Sequence, residues 1–82
     1  LYYALGLSYA MLDQIGPARG AFEQCVRVEP TLYEGWLKLA TACHVMGDAA
    51  ARDAALARAD ALPESADGRA RELRGRMAAQ GR

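Results

Sequence analysis

The chain lacks any apolar run of the roughly 18 to 20 residues that a membrane-crossing helix needs. The best candidate, Leu1 to Met11, is broken by Gly6 and Ser8. Membrane insertion is therefore not expected, and an interfacial role through Leu73 and Met77 would rest on too narrow an apolar stripe. Cysteine is scarce: Cys25 and Cys43 form no framework of paired spacings, and both fall on helix faces turned inward. They read as buried, reduced thiols, which favours a cytoplasmic setting without fixing one. There is a single histidine, His44, beside Cys43. Neighbouring residues on a helix point about 100° apart, so these two cannot form a hydrogen-bonded dyad. Cys25 could approach His44 only through the fold, and no Gly-rich turn offers an oxyanion site. Two thiols and one imidazole at these separations do not match zinc spacing, and no phosphate-cradling glycine loop is present. Catalysis, a metal and a cofactor are all outside what the sequence supports.

Net charge is zero as well, but unevenly so. Residues 1–68 carry five basic and nine acidic side chains, whereas 69–82 carry five arginines and one Glu, so the two parts stand near −4 and +4. Such polarity suits head-to-tail neighbours or an acidic partner. The run Arg69 to Arg76 could touch phosphates, but it is offset by Asp67 and Glu72 and has no interleaved aromatic, a poor footprint for nucleic acid.

What the chain does have is helical periodicity. Tyr2, Leu5, Tyr9 and Leu12 keep one face of a first helix, widened by Leu1, Leu7 and Met11. Asp13 to Gly16 breaks the pattern, and Pro17 suits the first turn of a second helix that runs to Val28 with Ala18, Ala21, Phe22, Cys25 and Val28 inward. Pro30 stops it. Thr31 to Glu34 has the spacing of a capping box, opening a third helix with Trp36, Leu39, Ala40, Cys43 and Met46 inward and a left-handed stop at Gly47. Asp48 caps a fourth helix, through Leu56 and Ala59 to Leu62, which Pro63 closes. Eight alanines between Ala49 and Ala61 favour helix while supplying little apolar area per side chain, so close packing must compensate. After Ser65, read as a further cap, Ala70, Leu73 and Met77 recur at helical spacing with Gly81 beyond. Asp67 with Arg71 and Glu72 with Arg76 stand in the favourable order for ion pairs along that fifth helix.

Displacing the chain by 34 residues sets Tyr2 on Trp36, Leu5 on Leu39, Gly6 on Ala40, Phe22 on Leu56 and Val28 on Leu62. The first unit, Tyr2-x-x-Leu5-Gly6-x-x-Tyr9, then Ala18-x-x-x-Phe22, then Pro30, resembles the tetratricopeptide repeat. The second unit keeps Trp36, Leu39, Ala40, Gly47, Leu56, Ala59 and Leu62, but has Cys43 in place of an aromatic and Arg52 in place of a small residue. Arg52 is expected to lay its stem along the hairpin with its guanidinium at the edge. A one-residue slip of the fourth helix would turn Arg58 inward, so the unslipped register is preferred. The expectation is an all-α protein of five helices: a first hairpin over 1–30, a second over 31–63 and a capping helix over 64–82. The opening at Leu1 without Met suggests a piece of a longer protein.

The resemblance implies a right-handed stack whose concave surface, built from the first helix of each pair, binds a peptide or partner helix. It would place Tyr3, Leu7, Ala10 and Met11 there, with Leu37, Lys38, Thr41, His44 and Val45 from the second unit and Arg71 from the fifth helix. Tyr3 and Leu7 stand where a clamp for chaperone C-terminal carboxylates would need polar groups, which argues against that ligand. The rival expectation is a purely structural segment that stacks on further repeats or on another copy of the chain.

Overall fold

The structure, a computed structural model, describes residues 1–80. Five α-helices follow in order: α1 Tyr2–Met11, α2 Ile15–Val28, α3 Tyr33–Val45, α4 Ala49–Asp60 and, after a 3-10 turn over Pro63–Asp67, α5 Arg69–Gln80. No strand occurs among the described residues, and the all-α, five-helix expectation holds. Gly81 lies outside the described residues.

The first hairpin joins α1 to α2 through three residues. Its turn is made by Asp13 in the left-handed region, φ 61°, while the Gln14 N–H donates to the Tyr9 carbonyl at 2.9 Å. The expected break at Gly16 is not used: α2 begins at Ile15 and runs through Gly16. Pro17 still falls in the first turn, where a missing N–H leaves no intrahelical bond unmade. Gly6 is buried where α1 meets Phe22, and a Cβ there would stand 2.5 Å from Phe22 Cε1.

The second hairpin turns at Gly47, φ 79°, the expected left-handed stop. Asp48 caps α4 by accepting the Ala51 N–H at 3.1 Å. Arg19, from α2, donates to the other Asp48 oxygen at 2.9 Å and so ties the two hairpins together. Both contacts, the backbone N–H first, pull the Asp48 carboxyl below its ordinary pKa. Gly35 completes the seam, with Val26 and Cys25 packed against the space a side chain would need.

The capping box does not form. Leu32 occupies the cap position of α3 without a side-chain bond, Thr31 is exposed, and Glu34 turns instead to an ion pair with Arg69. Ser65 likewise does not open α5; its hydroxyl donates to the Asp60 carbonyl at 3.1 Å and finishes α4. The start of α5 is held by Asp67, which accepts the Arg69 N–H at 2.8 Å, and by the Tyr33 hydroxyl, which accepts the Ala70 N–H at 3.0 Å. Asp67 pairs with Arg69 rather than Arg71, because Arg69 is close enough to bond it through both backbone and side chain. The Glu72 to Arg76 pair is present at 3.4 Å.

The main core gathers Ala18, Phe22, Val26, Leu39, Ala40, Ala42, Cys43, Ala55, Leu56 and Met77, with Tyr9 and Trp36 half-buried against it. A second cluster of Tyr33, Leu37, Ala59 and Ala70, with Leu62 and Leu73 against it, seats α5 on the second hairpin. Val28 and Met46, expected inward, are 65% and 50% exposed. Each lies in the last turn of its hairpin arm, and Val26 takes the buried place in α2. Tyr2, Leu5 and Leu12 are exposed too, because α1 offers α2 the side carrying Tyr3, Gly6 and Leu7.

Candidate partner-binding groove

A cleft of about 370 Å³ opens between α3 and α5, lined by Glu34, Leu37, Lys38, Thr41, Arg69, Glu72, Leu73 and Arg76. The helical period explains the α3 contribution: Glu34, Lys38 and Thr41 follow one another at spacings of four and three, so they stand along one side of the helix. On α5, Arg69, Glu72, Leu73 and Arg76 do the same. The floor is apolar, from Leu37 and Leu73, and the rim carries charges of both signs.

Arg69 organises the open end. It pairs with Glu34 and, at 2.6 Å, with Asp67, while its guanidinium lies 5.0 Å from the centroid of the Tyr33 ring. Arg76 is held by Glu72. Lys38 has no carboxylate within ion-pair distance among the described residues. Thr41 donates its hydroxyl to the Leu37 carbonyl at 3.0 Å, which leaves its oxygen as an acceptor facing the cleft. The same charges act on Tyr3: burial, then the charge of Glu34, raise its phenol pKa, and Arg69 opposes them.

Of the concave residues expected from sequence, Leu37, Lys38 and Thr41 line the cleft. Tyr3 and Leu7 are half-buried against the core, Tyr3 with its ring centroid 6.2 Å from that of Phe22. Leu37 forms the floor of the cleft, covered by α5 to 7% exposure. His44 does not line the cleft; its Nδ1 accepts from Arg52 of α4 at 3.0 Å. That bond puts the Arg52 guanidinium at the hairpin edge, also 3.0 Å from Asp53. Arg71 is exposed and does not line the cleft, whose α5 side is made by Arg69, Glu72, Leu73 and Arg76. Met11 is 87% exposed and stands clear of the cleft, and Ala10 and Val45 are exposed as well.

Tyr33, Glu34 and Arg69 are the residues that sequence reasoning missed. The available signal was the spacing of Tyr33, Leu37 and Ala40, a second apolar stripe on α3 beside the one through Trp36, Leu39 and Cys43. Both thiols are buried and unpaired, and burial raises the pKa of each. No cluster of potential metal ligands and no helix long and apolar enough to cross a membrane occurs among the described residues.

The chain matches no protein-family model, and comparison with the curated proteins and with the solved structures found no match.

Proposed function

We propose that this protein is a non-catalytic interaction module of the tetratricopeptide kind, which takes a peptide or partner helix into the groove between α3 and α5. The observation that supports the reading is the groove itself: an apolar floor of Leu37 and Leu73 under a rim on which Lys38 is unpaired and Thr41 retains an acceptor. Such a floor and rim suit an apolar anchor flanked by polar residues, the usual division between affinity and specificity in peptide recognition. A displayed library of short peptides selected on the intact protein tests it. Selected binders should lose at least tenfold in affinity to Thr41→Arg, whose long cation fills the groove, and Lys38→Glu should change which sequences are selected. Binders indifferent to both substitutions would place the recognition surface elsewhere.

A second reading, packing on further repeats or on another copy, is favoured by one observation: Leu1, Tyr2, Leu5, Met11 and Leu12 leave an exposed apolar surface on and beside α1. Sedimentation at rising concentration separates the two. Under the second reading the protein self-associates and Leu5→Lys returns it to monomer; under the first it stays monomeric while binding peptide.

A further inference from the structure

A second cleft, of about 590 Å³, lies where α2 approaches the start of α3 and is lined by Glu23, Val26, Arg27, Pro30, Trp36 and Arg58. It shares no lining residue with the groove between α3 and α5. Trp36 forms its wall in a fixed orientation, because the indole N–H donates to the Pro30 carbonyl at 2.7 Å. Arg58, reaching across from α4, holds its guanidinium carbon 5.0 Å from the centroid of that ring.

Both arginines of this cleft lack a carboxylate partner. Arg19, Arg52, Arg69, Arg74 and Arg76 each have a carboxylate within ion-pair distance, whereas Arg27 and Arg58, like Arg71 on α5, have none among the described residues. The one acid of the cleft, Glu23, is already held by Arg19 at 3.2 Å. Two guanidiniums without counter-charges therefore converge beside an indole, in the part of the chain that is otherwise acidic.

We infer that this cleft binds an acidic segment of a partner protein. Its carboxylates pair with Arg27 and Arg58, and an adjoining apolar side chain lies against Trp36, Val26 and Pro30. Charge complementarity selects the occupant: a carboxylate accepts the two-pronged hydrogen bonding of a guanidinium, and the cation already resting on the indole face has one plane committed and its edge free for an anion. A nucleic-acid strand also brings anions, but it gains affinity by engaging many cations in a row. This cleft offers two, next to Glu23, so the acidic peptide is favoured.

Trp36 is the only tryptophan, which makes its fluorescence a direct report on the cleft. The probes are a capped peptide alternating Glu and Leu, the same peptide with Gln for every Glu, and oligothymidylate, with affinity measured in parallel by titration calorimetry. The Glu peptide should give a saturable fluorescence change that weakens as salt is added, and the Gln peptide none. Arg27→Gln and Arg58→Gln should each raise Kd about tenfold or more, the loss expected for one charged hydrogen bond, with unchanged circular dichroism. Lys38→Gln should leave Kd as it was, which separates this site from the other groove. Should either Gln variant fail to fold, Arg27→Lys or Arg58→Lys replaces it, with a smaller loss in the same direction. The inference is overturned if the Glu peptide does not bind the intact protein or the Gln peptide binds equally well. Affinity unchanged from that of the intact protein in both arginine variants, a response to Lys38→Gln instead, or tighter binding of oligothymidylate would overturn it as well.

Discussion

Replacing Gly6 by Ala sets two opposed effects against each other, and the structure says which wins. Gly6 lies within α1, where Ala is intrinsically better than Gly by about 1 kcal/mol. The added Cβ, however, would stand 2.5, 2.7 and 2.8 Å from three atoms of the Phe22 ring. That ring is 2% exposed and packed beside Tyr3, so it has no free space to swing into. Overpacking of this kind costs about 1–3 kcal/mol, toward the upper end where the neighbour is rigid. The expected net loss for Gly6→Ala is about 1–2 kcal/mol, from overpacking less the helix gain. Gly20, in α2 with nothing within 4 Å of its would-be Cβ, supplies the control: Gly20→Ala should gain up to about 1 kcal/mol. Urea denaturation of the three proteins measures both, and each kcal/mol moves the melting temperature by roughly 4–8 °C at this size. Gly6→Ala/Phe22→Leu should be less destabilised than the sum of the single changes, since the shorter side chain relieves the contact. If Gly6→Ala stabilises as Gly20→Ala does, the close approach of α1 to Phe22 is wrong, and with it the first hairpin.

Tyr33→Phe removes the hydroxyl that donates to Asp67 at 3.1 Å and accepts the Ala70 N–H. It should cost about 1–2 kcal/mol for the buried amide left unpaired, with faster amide exchange in the first turns of α5 and little change in α1. Acid should destabilise through Asp48 and Asp67, whose carboxyls are lowered chiefly by the backbone N–H groups of Ala51 and Arg69. A carboxyl depressed in the folded state contributes fully above the pKa it has when unfolded, and that contribution fades as pH falls through the folded value. Melting temperature should thus be level near neutrality and fall in the acid range, with a shallower fall in Asp48→Asn. Cys25 and Cys43, buried and with raised pKa values, should react with a disulfide reagent at neutral pH only as fast as the protein opens, and at once in denaturant.

Periodicity carried most of the fold into view. Ala18, Phe22, Cys25, Leu39, Ala40, Cys43, Leu56 and Ala59 are all buried, because each lies on a stripe whose spacing is set by the helix itself. Gly47 and Asp48 were equally legible, since a left-handed stop followed by a capping carboxylate is local chemistry. The misreadings occur where a local rule met a tertiary competitor. Glu34 has the sequence position to bond its own helix's first amide, yet Arg69 from a segment 35 residues further along takes it. Ser65 could have capped α5, but the Asp60 carbonyl at the end of α4 is nearer. No pattern within a single helix reveals such trades.

The groove was harder to read for a related reason. Offset by 34 residues, α5 aligns with α3 and should offer Arg71 where α3 offers Leu37. In the structure the two helices face each other across Leu37 and Leu73, and it is Arg69, Glu72 and Arg76 that reach the rim. The cause is Tyr33, whose hydroxyl fixes the first turn of α5 by binding both Asp67 and the Ala70 N–H. An aromatic residue at the opening of one helix thus sets the rotation of another, and that rotation decides which arginines reach the rim. Loosening this one anchor should therefore alter peptide selectivity as well as stability, since the rim charges would turn with α5 while the floor residue Leu37 stayed in place on α3.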